Sequence, residues 1–207
     1  MNPYLLLLIT FALWAVLHSL TAMRVLKEAL RRWLGERAYA GFYRLLYNLL
    51  AVVSIVPLLW VLATQVSPTE MWRWSRPGLY LALAIQLLAL VGLGISLLQT
   101  DVWRFIGLSQ VIRYLQGAPD PDPPASFVSR GTYALVRHPL YLFSLLLIWF
   151  TPVVTLDRFL FNLLATVYFW LGSLHEERRL RAEFGDTYRQ YQQSVPYLIP
   201  FVKRRGG

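Results

Sequence analysis

The sequence predicts an all-α integral membrane protein, with five transmembrane helices and a cytoplasmic amphipathic C-terminal helix. Two observations carry this prediction. Of 207 residues, 57% are apolar and only 15% are charged, whereas soluble domains have about 45–50% and about 25%. The apolar residues also gather into stretches of about 20, the length at which a helix crosses the hydrocarbon core. The length suits one domain, residues 1–207, with no soluble catalytic module beside the membrane part. The chain has no cysteine, which excludes a disulfide framework, a thiolate nucleophile and any Cys-ligated metal or iron–sulfur centre.

The candidate spans are 3–22, 43–64, 78–98, 139–156 and 157–173. The first reads as a retained anchor: Met1-Asn2-Pro3 carries no basic residue, while Arg24, Lys27, Arg31 and Arg32 follow it closely. The last two are short and adjacent, as in a tight helical hairpin. Basic residues sort by loop. Residues 23–44, 99–138 and the C-terminal tail hold seventeen of the Lys and Arg residues, against Arg73, Arg76 and Arg158 on the other side. The positive-inside rule then places the N-terminus outside and the C-terminus in the cytoplasm, as an odd number of spans requires. This pattern favours anionic lipid headgroups and accounts for the net charge of +9 without nucleic acid.

Polar residues inside spans are costly; those here include His18, Ser19, Asn48, Gln86, Ser96 and Asn162. His18 lies about 6 Å along the helix from the inner end of the first span, a position from which it could face an inner cavity. Interhelical hydrogen bonding is the alternative for each of them. Gly92 and Gly94 read as close helix packing, and Trp72, Trp74 and Tyr80 as interfacial anchors. In the long inner loop 99–138, Asp101 to Leu108 mixes aromatic and charged residues like an interfacial segment. The proline-rich stretch 118–124 that follows cannot be helical and reads either as a lid or as a passive linker.

The strongest local signal is Arg137-His138-Pro139-Leu140-Tyr141. Pro139 suits the first turn of a helix with His138 at its cap, so free backbone N–H groups point into the inner mouth, ready for a carboxylate. If the last two spans run out and back over similar lengths, His175-Glu176-Glu177-Arg178-Arg179 returns to the same membrane face. Neighbours on a helix differ by about 100°, so one glutamate enters the pocket while the other meets Arg179 or Arg181. The alternative is a plain solvated amphipathic helix over 174–193, with Leu180, Phe184, Tyr188 and Tyr191 on its apolar face.

These motifs, continued by Phe184-Gly185, Tyr188, Tyr191 and Val195-Pro196, resemble the isoprenylcysteine carboxyl methyltransferase and phospholipid methyltransferase superfamily over about a third of the chain. Phe105-Ile106-Gly107-Leu108, Gln110-Val111 and His18-Ser19 are more similar to its bacterial methanethiol S-methyltransferase branch. The resemblance implies a multi-pass protein of a bacterial inner membrane. It implies S-adenosyl-L-methionine entering from the cytoplasm to a region formed by 99–138 and 174–200, and a small or lipophilic acceptor, best a thiol. It also implies that His138, Pro139, Tyr141, Glu176 and Glu177 help form the cofactor pocket.

Methyl transfer from a sulfonium needs positioning and desolvation rather than covalent help. Tyr133, Tyr141 and Tyr188 offer aromatic faces to the cationic donor. A glutamate such as Glu177 can hold its ribose or amino group, and Arg137 or the helix start its carboxylate. A thiol acceptor must lose its proton, to His18 or His138, or be stabilised as thiolate by Arg137. The alternatives are isoprenylcysteine carboxyl or phospholipid methylation and, further off, an NADPH-dependent membrane sterol-type reductase with a similar C-terminal pattern. A non-catalytic membrane component on the same fold is a further alternative. Three dispersed histidines give no metal-ligand spacing.

Overall fold

The computed structural model describes residues 2–66, 68–123 and 126–202. Pro124 of the proline-rich stretch and Lys203, Arg204 and Arg205 of the basic tail lie outside them. The chain divides into two compact units, one of Met1–Ser67 with Asp101–Ala125, the other of Pro68–Thr100 with Ser126–Gly207.

The first unit opens with α1 (Pro3–Ala22), whose start is set by Pro3 in the first turn and by the Asn2 side chain accepting from Tyr4 N at 2.9 Å. A short amphipathic helix, α2 (Arg24–Leu34), leads into α3 (Glu36–Thr64), and α1 packs along α3. Tyr43 of α3 donates to Thr21 O at 2.5 Å, which ties the end of α1 to α3. After the second unit's first segment, α5 (Val102–Ile106) and α6 (Leu108–Leu115) pack on α3. The proline-rich stretch is tied down along its described length. Arg104 Nη2 reaches Asp122 Oδ1 at 2.8 Å and also Pro123 O, Gln110 Nε2 donates to the same Asp122 oxygen at 3.1 Å, and Pro121 is buried.

The second unit begins with β1 (Glu70–Arg73) and α4 (Arg76–Gln99). A single turn, α7 (Thr132–Leu135), precedes α8 (Pro139–Trp149), β2 (Val153–Thr155) and the long α9 (Leu156–Ser194). The two short strands pair antiparallel with Trp72 opposite Val154 and Arg73 opposite Val153. The all-helical expectation did not include them. Pro152 cannot donate to a helix, and Val153, Val154 and Thr155 are β-branched, so the end of the expected span 139–156 becomes strand instead.

Three described helices, α1, α3 and α4, are long and apolar enough to cross a membrane. The fourth expected span is an 11-residue helix, α8, with a rise of only about 16 Å. Its end is instead satisfied by side chains: Gln86 of α4 donates to Leu147 O at 2.9 Å and Asn162 of α9 to Ile148 O at 2.8 Å. Carbonyls in the last turn of a helix lack intrahelical donors, so these two side chains complete them. Three more of the in-span polar residues also make hydrogen bonds to neighbours: Ser96 to Gly92 O and Thr132, Asn48 to Phe105 O and His18 to Tyr47. Gly92 is where α4 meets α8, since a Cβ there would collide with the Phe143 ring; Gly94 has open space and plays no such part.

Candidate active site

Pro139 opens α8 and His138 is its N-cap, as the sequence predicts, and no side chain caps the first turn. The preceding residue is held by the C-terminal segment: Arg137 N donates to Pro196 O at 2.9 Å and Arg137 Nη1 to Gln192 O at 2.9 Å. Both residues then converge on one carboxylate. Arg137 Nε lies 3.1 Å and His138 Nε2 3.0 Å from Glu177 Oε1, which also accepts from Tyr188 Oη at 2.8 Å. The other oxygen, Oε2, accepts from Gln192 Nε2. With the Glu177 side chain only 7% exposed, this is a closed cluster in which three hydrogen-bond donors and the Arg137 charge meet one carboxylate.

Tyr188 reaches Glu177 because α9 is broken at Gly185 (φ 54°, ψ −125°). Eleven residues of straight helix would separate the two by about 16 Å. A break in this backbone region is open essentially to glycine alone. It turns Tyr188, Tyr191 and Gln192 back onto the preceding half of the helix. Phe127 meets the rings of Phe184, Tyr188 and Tyr191 at 5.0–5.7 Å, and Tyr191 Oη donates to Tyr133 O at 2.5 Å.

Glu176 lies outside the cluster. Its side chain is 35% exposed, 3.6 Å from His138 Nδ1 and 3.8 Å from Arg179 Nη2. The two glutamates therefore divide as the helical repeat requires, one inward and one toward arginine. Tyr141 stacks on His138 at 5.5 Å and on Phe169 at 5.3 Å, while Tyr197 packs edge-on to His138 at 5.1 Å and lies under the Arg137 guanidinium.

The electrostatics follow from this crowding. Burial works against a charge on Glu177, but hydrogen bonds from His138 and Tyr188, the Arg137 charge and Gln192 outweigh it and hold the carboxyl at about 2. Burial likewise opposes a charged His138, yet the two glutamates prevail and raise it above the ordinary histidine value of 6.5. Glu176 is also lowered against its own burial, by His138 and Arg179. Desolvation raises Tyr133 to about 12, and burial with the adjacent Glu177 carboxylate raises Tyr188 further.

Of the nine residues singled out from sequence, Arg137, His138, Pro139, Tyr141, Glu176, Glu177, Tyr188 and Tyr133 come together in the second unit. His18 belongs to the first, where its Nε2 is 2.7 Å from Tyr47 Oη and its ring stacks on Trp14. Gln192, Tyr197 and Phe127 were not anticipated. Gln192 had a signal, since it falls four residues after Tyr188 on the same face. Tyr197 and Phe127 lie in irregular segments that no periodicity marks.

The NnrU family model, described as "NnrU protein", matches residues 6–185, and the chain belongs to this family. It is 34% identical to methanethiol S-methyltransferase 1 of Bradyrhizobium diazoefficiens over 94% of this chain and 66% of that protein, so it spans slightly less than two thirds of that relative's length. It is 30% identical to methanethiol S-methyltransferase of Pseudomonas deceptionensis over 97% of this chain and 73% of that protein. Protein-S-isoprenylcysteine O-methyltransferase of Schizosaccharomyces pombe is 35% identical over 36% of this chain and 33% of that protein. No solved structure matches the chain significantly. The resemblance read from the motifs is therefore borne out: the chain is a helical membrane protein whose relatives are named methyltransferases.

Proposed function

We propose that this protein is an S-adenosylmethionine-dependent membrane methyltransferase, one domain over residues 1–207, with a small thiol as acceptor. The observation that carries the reading is the carboxylate pair at the uncapped start of α8. Glu177 is held by three hydrogen-bond donors and the Arg137 charge, whereas Glu176 presents a charged oxygen beside an aromatic ring. A group with a cationic sulfur, an ammonium, a carboxylate and ribose hydroxyls fits such a donor set. Glu176 would hold the ammonium or hydroxyls, the rings of Tyr141 and Tyr133 would supply aromatic surface to the cation, and the first-turn N–H groups of α8 would hold the carboxylate. Arg137, Glu177, Tyr188 and Gln192 form the frame that holds His138 and α8 in place.

Bound S-adenosylmethionine would supply an electrophilic methyl group on sulfur. The protein's task is to align the acceptor, exclude water and take up the thiol proton. His18 is our candidate for that proton, with Tyr47 fixing its ring at 2.7 Å; His138 is committed to the two glutamates. With the proton removed, the acceptor thiolate would be free to take the methyl group from the donor's sulfur, which would be left as a neutral thioether. The relatives named for methanethiol support the small thiol as substrate.

In the proposed topology α8 and the residues that follow it to Thr155 make the fourth pass, and the first part of α9 makes the fifth. This leaves 174–200 in the cytoplasm of a bacterial inner membrane, with the N-terminus outside. Titration calorimetry on the purified protein tests the cofactor: micromolar or tighter binding of S-adenosylmethionine is expected, with no response to NADPH. A labelled-methyl assay with small thiols, isoprenylcysteine analogues and lipid amines tests the acceptor. There, His18→Ala is expected to lower thiol turnover about 100-fold or more, with affinity for the methyl donor unchanged and partial recovery at higher pH.

A further inference from the structure

We infer that α2 is an in-plane membrane-surface helix that seats its apolar face among acyl chains and gathers anionic phospholipid headgroups along its basic edge. It joins α1 to α3, two helices able to cross the membrane, through the single residues Met23 and Gly35, so both of its ends are tethered where those helices meet the surface. At about 100° per residue, Val25, Leu26, Ala29, Leu30 and Trp33 share one face. Arg24, Lys27, Glu28, Arg31 and Arg32 occupy the opposite one.

The helix is turned in a way that a soluble protein would not tolerate. Part of its charged edge touches the protein, with Arg31 over the Tyr39 ring at 4.7 Å and 3.6 Å from Glu36 and Lys27 over the Tyr43 ring at 5.5 Å, while Arg24, Glu28 and Arg32 stay exposed. No residue of α2 is buried, and Val25 and Trp33 on the apolar face are 71% and 80% exposed. An open groove on α1 is lined by Ala15, Val16, Ser19, Leu20 and Met23, the last being the residue that joins α1 to α2. An apolar face left open beside membrane spans, rimmed by four cations and one carboxylate, matches hydrocarbon below and anionic headgroups above. A second copy of the chain is a poorer occupant, because pairing the two faces would bring two basic rims together.

The absence of cysteine makes the test direct. Full-length Trp33→Cys and Glu28→Cys, each labelled with an environment-sensitive fluorophore, are reconstituted in vesicles of phosphatidylcholine with 30% phosphatidylglycerol. At position 33 nitroxides on the acyl chains are expected to quench several-fold more strongly than aqueous iodide, and at 28 the order should reverse. Nitroxide-labelled phosphatidylglycerol should quench position 33 more than labelled phosphatidylcholine does. Arg24→Gln with Arg32→Gln should reduce that preference about fivefold or more, with thermal unfolding unchanged. Equal iodide access at 33 and 28 would overturn the surface placement. Equal quenching by the two lipids would overturn the anionic preference. Shielding at 33 that grows with protein-to-lipid ratio, with disulfide cross-linking of unlabelled Trp33→Cys, would assign the face to a second copy instead.

Discussion

Two adjacent glutamates with the same chemistry take different positions, Glu177 buried and Glu176 partly exposed, because one helical step separates them. Glu177 receives Arg137, His138, Tyr188 and Gln192, so removing it strands a buried cation and three polar groups. Glu177→Ala is expected to lower the unfolding free energy by about 3–5 kcal/mol, read from denaturant melts in detergent. Glu176→Ala should cost less, about 1 kcal/mol or below through its part in holding His138, but weaken binding of the methyl donor by about 1.5–3 kcal/mol in calorimetry. The reverse pattern would exchange the roles assigned to the pair. Protonation adds a second check. Glu177 is lowered from 4.5 to about 2 in the folded protein, so its contribution is complete above 4.5 and is lost as pH falls toward 2. His138 is raised above 6.5, so its contribution is complete below 6.5 and is lost as pH rises through the folded value. Thermal stability should therefore peak between about pH 4.5 and 6.5, and the peak should flatten in His138→Gln.

At the scale of elements, Gly185 decides whether the site closes. Its positive φ folds the end of α9 back, and a Cβ there would meet no other atom. Gly185→Ala therefore isolates backbone strain from crowding. It is expected to cost about 1–3 kcal/mol in thermal or denaturant unfolding, together with a loss of affinity for the methyl donor as Tyr188 and Gln192 draw away from Glu177. A variant with wild-type stability would mean that the bend is not held in solution. The short α8 shows the same dependence on partners: its final carbonyls are satisfied only because Gln86 and Asn162 reach them from other helices.

For the whole molecule the ruling pattern is charge. Seventeen basic residues fall on the loops assigned to one side and three on the other, and long apolar faces such as Leu13, Val52 and Leu88 stand open on the candidate spans. A fluorescent protein fused at the C-terminus should fluoresce in bacteria, and an alkaline phosphatase fused there should be inactive. An active phosphatase would put the Arg137–Glu177 cluster on the face that lacks S-adenosylmethionine and would refute the proposed reaction.

Composition and periodicity determined the membrane class, and the run Arg137-His138-Pro139 marked the start of α8, because proline restricts a helix to one local geometry. The helical repeat was enough to divide Glu176 from Glu177. Sequence spacing did not reveal that α8 would stop after 11 residues in favour of a strand paired with Glu70–Arg73, since that choice depends on a partner strand about 80 residues away in the chain. Nor did it reveal Gln192 and Tyr197 at the cluster. An unbroken amphipathic repeat over 174–193 reads as one straight helix, and only tertiary packing decides that a glycine within it yields. Gathering three hydrogen-bond donors and the Arg137 charge on a single buried carboxylate offsets the bend, and no local signal in the chain records that exchange.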